Sequence, residues 1–100
     1  MSLAALKNER IKKTSDKKEI TDYSPLFFKR IPDPLVSIII PVYNQFEYTY
    51  NCLKSILLNS GEISYELIIA DDCSTDLTTK INQIISNIQV VTNESNLRFL

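Results

Sequence analysis

The sequence predicts an α/β domain in which parallel strands alternate with helices, in the order strand, helix, strand, helix, strand. Three observations carry this prediction: β-branched apolar runs, apolar residues at helical spacing between the runs, and turn-forming or acidic residues after each run. Helical crossovers between buried strands imply that the strands are parallel and the connections right-handed. We therefore expect a three-layer arrangement, with helices packed on a central sheet.

A polar N-terminal arm precedes this regular pattern, and the composition changes near Pro34. We assign residues 1–34 to the arm and residues 35–100 to the domain. A basic cluster in the arm could bind anionic lipid or a partner, but the acidic residues dispersed in it favour a solvated linker. The cluster consists of Lys7, Arg10, Lys12, Lys13, Lys17 and Lys18. Four apolar residues could dock the arm on the domain, namely Tyr23, Leu26, Phe27 and Phe28.

The first strand is predicted in the run LVSIIIPVY, which begins at Leu35 and looks buried on both faces. Pro41 is expected to end its hydrogen-bond ladder, because proline has no N–H group to donate. A helix should then begin at Asn44 or Gln45 and continue to about Ser60. Its apolar face would be formed by Cys52, Leu53, Ile56 and Leu57. Gly61 follows as the natural helix stop.

The second strand is predicted over Tyr65 to Ala70, and the third over Ile88 to Thr92. A second helix should lie between them, capped by Ser74 or Thr75 with Asp76 in its first turn. Its apolar stripe would be Leu77, Ile81, Ile84 and Ile85.

The composition excludes several classes of function. The chain has no histidine and one glycine, so neither a G-x-G-x-x-G dinucleotide motif nor a Walker A loop is present. A net charge of −1 gives no indication of nucleic acid as a partner. Two cysteines are too few for a disulfide scaffold. The apolar runs are too short to span a bilayer and no secretory leader begins the chain, so we expect a cytoplasmic protein with at most peripheral membrane contact.

Two polar segments follow the first two predicted strands and should line one cleft. They are residues 41–44, with the sequence PVYN, and residues 71–74, with the sequence DDCS. Ligands of open parallel sheets bind beyond the carboxyl ends of the strands. A carboxylate accepts hydrogen bonds, so the acidic pair suits a base N–H, a sugar hydroxyl or a hard cation. Tyr43 could stack on a base, but capping or turn roles for the aspartates and packing for Tyr43 remain open.

These segments, in their order and spacing, resemble the start of family 2 glycosyltransferases, which have the Rossmann-like GT-A fold. The resemblance rests on VSIIIPVYNQFEYTYNCLKSIL, YELIIADDCSTDLTT and VVTNESNLRFL, and it covers about two thirds of the chain. It is nearest to bacterial surface-polysaccharide transferases. The resemblance implies a set of nucleotide-binding residues: Pro41, Val42, Tyr43, Asn44, Asp71, Asp72, Asn96 and Arg98.

Within this set, the resemblance implies that Asp72 accepts a hydrogen bond from the ring N–H of a uracil or thymine. It places Asp71 nearer the turn. Asn96 and Arg98 belong to the next loop on the donor side. Arg98 stands where the family usually has glycine, which leaves open whether it contacts the diphosphate.

The resemblance also implies an activity: transfer of a sugar from a UDP- or dTDP-type donor to a glycan hydroxyl. The divalent cation expected for such an enzyme, Mn²⁺ or Mg²⁺, would be bound by a D-x-D-like motif beyond Leu100. We therefore expect no turnover from this chain alone in a sugar-transfer assay. A truncated parallel sheet leaves an edge through which the chain could self-associate.

Two other classes of protein share features with this sequence. A phosphoacceptor receiver domain also has paired acids at a parallel sheet edge, but it carries them after the first strand, whereas Asp71 and Asp72 follow the second. A non-catalytic α/β interaction module would use the same fold, with the N-terminal arm as its docking element.

Overall fold

The computed structural model describes residues 18–93 and confirms an α/β fold with parallel strands. Its strands are β1 (Leu26–Phe27), β2 (Val36–Val42), β3 (Tyr65–Asp71), β4 (Ile85–Ser86) and β5 (Gln89–Thr92). One α-helix, α1 (Phe46–Asn59), and two 3₁₀ helices, Ile20–Asp22 and Leu77–Gln83, complete the described elements. No helix in this part of the chain is both long and apolar enough to cross a membrane.

The main sheet has three parallel strands in the order β2-β3-β5. In its register Val42 pairs with Asp71, and Asp71 pairs with Thr92. The carboxyl ends of all three strands therefore meet at one edge, which we call the rim. Strands β1 and β4 form a separate parallel pair.

Pro41 does not end the first strand, contrary to the sequence prediction, and β2 continues to Val42. The Val36 N–H donates to Ser64 O at 3.2 Å, and Val42 O accepts the Asp72 N–H at 2.9 Å. Backbone groups alternate in direction along a strand, so the proline nitrogen points away from β3. Since β2 is an edge of the described sheet, the missing donor costs the ladder nothing.

One face of the sheet carries the core and the other is partly open. Leu67 and Ile69 are buried in one core cluster with Leu53 of α1 and Ile81 of the second 3₁₀ helix. Ile39 and Val91 on the other face are 62% and 53% exposed. Two right-handed crossovers that step in the same direction put their helices on the same face. Burial of the first strand on both faces was therefore wrong for the described residues.

Helix α1 is confirmed, although it begins at Phe46, and Leu53 on its inner face is fully buried. Cys52, which was also predicted on that face, is exposed, so this part of the prediction was wrong. The helix ends at Asn59, and Gly61 follows with a φ of +59°. This left-handed conformation is typical of the residue just past a helix, where glycine carries no steric penalty.

The second predicted helix is shorter than expected. It is a 3₁₀ helix that ends at Gln83, and Ile85 belongs to β4 instead of to a helical stripe. Strand β4 pairs with β1 of the N-terminal arm. Strand pairing with the arm therefore replaces the last turn of the predicted helix. The third predicted strand is confirmed to within one residue, as β5.

The described part of the N-terminal arm packs on the domain. Ile20, Leu26 and Phe28 are buried in the common core, and Tyr23 packs against it. Phe27, also expected to dock, is 70% exposed because side chains alternate along β1. The basic cluster up to Lys17 lies outside the described residues, and the boundary at Pro34 stays a prediction.

Candidate functional site

The rim brings together the two polar segments that the sequence singled out. Tyr43 directly follows β2, and Asp72 directly follows β3. The Asp72 N–H donates to Val42 O at 2.9 Å, which continues the ladder between the two strands past their ends. Tyr43 and Asp72 therefore emerge side by side.

Hydrogen bonds join the two rim loops in both directions. The Asn44 N–H donates to Ser74 Oγ at 2.7 Å. In return, Asn44 Oδ1 accepts the N–H groups of Thr75 at 2.8 Å and Asp76 at 3.2 Å. The Asn44 side chain thus accepts backbone N–H groups, as a backbone carbonyl would do in a sheet. Each loop is held in part by hydrogen bonds from the other.

Asp76 caps two helices with one carboxylate. Its Oδ1 accepts the Thr78 N–H at 2.9 Å in its own 3₁₀ helix. Its Oδ2 accepts the Phe46 N–H at 3.0 Å, in the first turn of α1. The prediction that Ser74 or Thr75 would cap the second helix is therefore wrong: Asp76 is the N-cap, and Ser74 bonds within its own turn.

We predict that Asp76→Ala lowers the free energy of unfolding by about 1–2 kcal/mol, because two helix ends lose a charged acceptor. Urea denaturation would measure the loss. Asp76→Asn keeps an acceptor oxygen and should recover most of the stability. An alanine variant with the wild-type midpoint would show that the double cap is not a stabilising feature.

Left-handed backbone occurs at both loops. Asn44, Gln45 and Cys73 have φ angles of 53°, 59° and 63°. Non-glycine residues pay an energetic cost in this region and persist there only when their surroundings fix them. The cross-loop hydrogen bonds of Asn44 provide such fixation on the tyrosine side of the rim.

The two adjacent carboxylates have different surroundings. Asp71 is buried, and its Oδ1 accepts hydrogen bonds from the Ser74 N–H, at 3.1 Å, and from the Ser74 hydroxyl. This is the turn-forming role that the sequence left open for one aspartate. Asp72 is 5% exposed, and its Oδ1 accepts the side-chain amide of Asn93 at 3.2 Å.

Asn93 also belongs to the rim, although it was not among the predicted site residues. Its N–H donates to Asp71 O at 2.9 Å, and its side chain reaches Asp72. The signal was available: Asn93 follows the third predicted strand directly, so its position at the shared edge could have been expected from the parallel topology.

The rim combines an exposed aromatic side chain with buried carboxylates. Tyr43 is 51% exposed, so its ring offers a free aromatic surface. Two pockets of about 150 and 440 Å³ lie at the other end of the strands, and both contain Lys29, Ile31 and Tyr65. Neither includes a rim residue. Within residues 18–93, no group of three or more His, Cys, Asp or Glu side chains could hold a metal ion.

Six of the eight predicted site residues lie on or beside the rim: Pro41, Val42, Tyr43, Asn44, Asp71 and Asp72. Val42 is buried and faces the core. Pro41 is exposed on the opposite face. Asn96 and Arg98 lie outside the described residues.

The fold and rim define an α/β domain with an aromatic side chain and a carboxylate at the carboxyl edge of a parallel sheet. The family model "Glycosyl transferase family 2" matches residues 37–99, more than half of the chain. The chain belongs to this family, as the resemblance predicted.

Curated relatives agree with the assignment. A protein of Bacillus subtilis, named provisionally as a teichuronic acid biosynthesis glycosyltransferase, TuaG, is 46% identical over 50 residues, covering 50% of this chain and 19% of its own. An uncharacterized glycosyltransferase of Haemophilus influenzae is 35% identical over 71 residues, covering 67% of this chain and 22% of its own. Chondroitin synthase of Escherichia coli is 47% identical over 55 residues, covering 55% and 8%. The chain thus spans about a fifth or less of these relatives.

Proposed function

We propose that this chain is the donor-nucleotide-binding part of a glycosyltransferase that moves a sugar from a UDP- or dTDP-type donor to a hydroxyl of a growing polysaccharide. The observation that carries the proposal is the juxtaposition of Tyr43 and Asp72 at one rim, joined through the Asp72–Val42 hydrogen bond. The names of the relatives, which include a chondroitin synthase, support a surface-polysaccharide acceptor.

The chemistry of the rim favours the nucleoside end of the donor. The ring of Tyr43 could stack on a base, a contact worth about 1–3 kcal/mol elsewhere. Asp72 carries an acceptor suited to the ring N–H of uracil or thymine, and its charge repels phosphate. The base would therefore lie over Asp72 and Tyr43, with the diphosphate directed away from the acidic pair.

The remaining predicted residues take supporting roles in this proposal. Asn44 and Asp71 hold the loops through the bonds to Thr75, Asp76 and Ser74 described above. Asn96 and Arg98 would contribute from the donor-side loop that follows β5. A cation would be held by other parts of the enzyme, because Asp71 bonds its own turn and Asp72 accepts from Asn93.

A cytoplasmic location, with at most peripheral contact with the membrane, is part of the proposal. The chain has two cysteines, too few for a disulfide scaffold, as is usual in a reducing compartment.

We further propose that the chain self-associates through the edge of β2. Strand β2 is an edge of the described sheet, and Ile39 and Val91 are exposed on one face of that sheet. The unpaired backbone groups of an edge strand can pair with a strand of another molecule. Size-exclusion chromatography with light scattering should show dimers or larger species at high concentration. A clean monomer would contradict this part of the proposal.

Calorimetric titration with UDP and dTDP, with and without Mn²⁺, tests the function. Binding of both should exceed binding of ADP and CDP, because the adenine and cytosine rings do not present the same N–H to a carboxylate. Equal binding of all four would remove the base-reading role of the rim. No binding would favour the alternative, a non-catalytic α/β interaction module.

A further inference from the structure

The segment upstream of the family match reaches the first turn of α1, next to the rim. We infer that residues 18–28 fix the conformation of the rim loop that carries Tyr43 and Asn44. Tyr23 is the positioning residue, because it connects this segment to the start of α1. The inference rests on the proposed nucleotide-binding function, and residues 18–28 lie before residue 37, where the family match begins.

The far end of this segment is fixed to the domain core. The Leu26 N–H donates to Ile84 O at 2.8 Å, and the side chain of Asn87 donates to Phe28 O at 2.8 Å. In the middle, the Tyr50 hydroxyl donates to Ser24 O at 2.7 Å. These hydrogen bonds fix the segment to the core, so it can act as a rigid support for the start of α1.

Tyr23 connects this support to the start of α1. Its hydroxyl donates to Glu47 Oε1 at 2.9 Å. Its ring meets the Phe46 ring edge-on, with centroids 4.9 Å apart and planes at 89°. Lys18 adds a second bond to Glu47 at 3.4 Å and lies 5.2 Å from the centre of the Tyr23 ring. Tyr23 therefore contacts the first two residues of the helix.

The start of α1 directly follows the two rim residues that have left-handed backbone. Phe46 follows Asn44 and Gln45, both in left-handed backbone, and its N–H binds Asp76. A strained loop relaxes when its supports are loosened. A shift of Phe46 would consequently move the Asn44 side chain and, with it, the adjacent Tyr43.

The Tyr23 hydroxyl is suited to a permanent donor role. Burial, the hydrogen bond to Glu47 and the charges of Glu47, Asp22 and Asp76 raise its pKa far above the usual value for tyrosine. The hydroxyl therefore keeps its proton at neutral pH and remains able to donate to Glu47.

Tyr23→Phe tests the inference, because it removes the hydroxyl and keeps the ring contact with Phe46. UDP affinity should fall by about 3- to 10-fold, within the range of indirect coupling. The backbone amide NMR signals of Asn44 and Phe46 should shift without ligand. Tyr65→Phe is the matched control: its hydroxyl bonds Ser60 at 3.0 Å at the opposite end of β3, so affinity and rim signals should stay unchanged.

Wild-type affinity in Tyr23→Phe, unmoved rim signals, or an equal effect of Tyr65→Phe would each overturn the inference. Failure of the wild-type protein to bind UDP would contradict the proposed function instead. In that case the amide signals would still decide whether Tyr23 holds the loop.

Discussion

Phe28→Ala is expected to cost about 3–5 kcal/mol of folding free energy, the usual range for deleting a buried phenylalanine ring. Phe28 is 4% exposed, and its ring meets Tyr65 edge-on with centroids 6.4 Å apart. Small domains have a total stability of only about 5–15 kcal/mol, so much of the chain should unfold. Urea or thermal denaturation followed by circular dichroism would measure the loss.

The neighbouring residue provides the control for this experiment. Phe27 has the same side chain but is 70% exposed, so Phe27→Ala should change stability by about 0.5 kcal/mol or less. If both variants had the same midpoint, the arm would not be part of the folded domain, and the packing of Phe28 would have to be rejected.

Asp72→Ala is expected to weaken UDP binding by about 10- to 100-fold, because a hydrogen bond to a charged acceptor contributes about 1.5–3 kcal/mol. The base would lose its acceptor, and the Asn93 amide would lose its partner. Calorimetry would measure the affinity, and thermal denaturation would show whether the variant remains folded.

Two further variants make this test specific. Asp72→Asn retains an acceptor oxygen without the charge, so its affinity should fall between those of wild type and Asp72→Ala. Glu62→Ala removes an exposed carboxylate at the opposite end of β3 and should leave binding unchanged. Full UDP affinity in folded Asp72→Ala would rule out the role assigned to Asp72.

Local patterns were sufficient to predict the main sheet and α1. The β-branched runs around Ile39 and Ile68 and the position of Gly61 marked strands and a helix end without any tertiary information. Parallel topology then placed Tyr43 and Asp72 at one edge, because the carboxyl ends of such strands coincide.

Features that depend on distant partners were not predictable in this way. Ile85 sits in a helical pattern, but it becomes a strand residue because Leu26, 59 positions earlier, supplies a parallel partner. Pro41 remains in the ladder because β2 is an edge strand, which only the strand order reveals. Asp76 is the N-cap of the second 3₁₀ helix, and its carboxylate also accepts the N–H of Phe46, which is distant in sequence.

The reciprocal bonds between Asn44 and the segment at Ser74 to Asp76 have a consequence for protein engineering. Each loop borrows donors and acceptors from the other, so transplanting one loop from a related enzyme would leave orphaned polar groups in its neighbour. Attempts to change donor preference should therefore exchange both loops as a matched pair, and substitutions at positions 44 and 76 should combine non-additively.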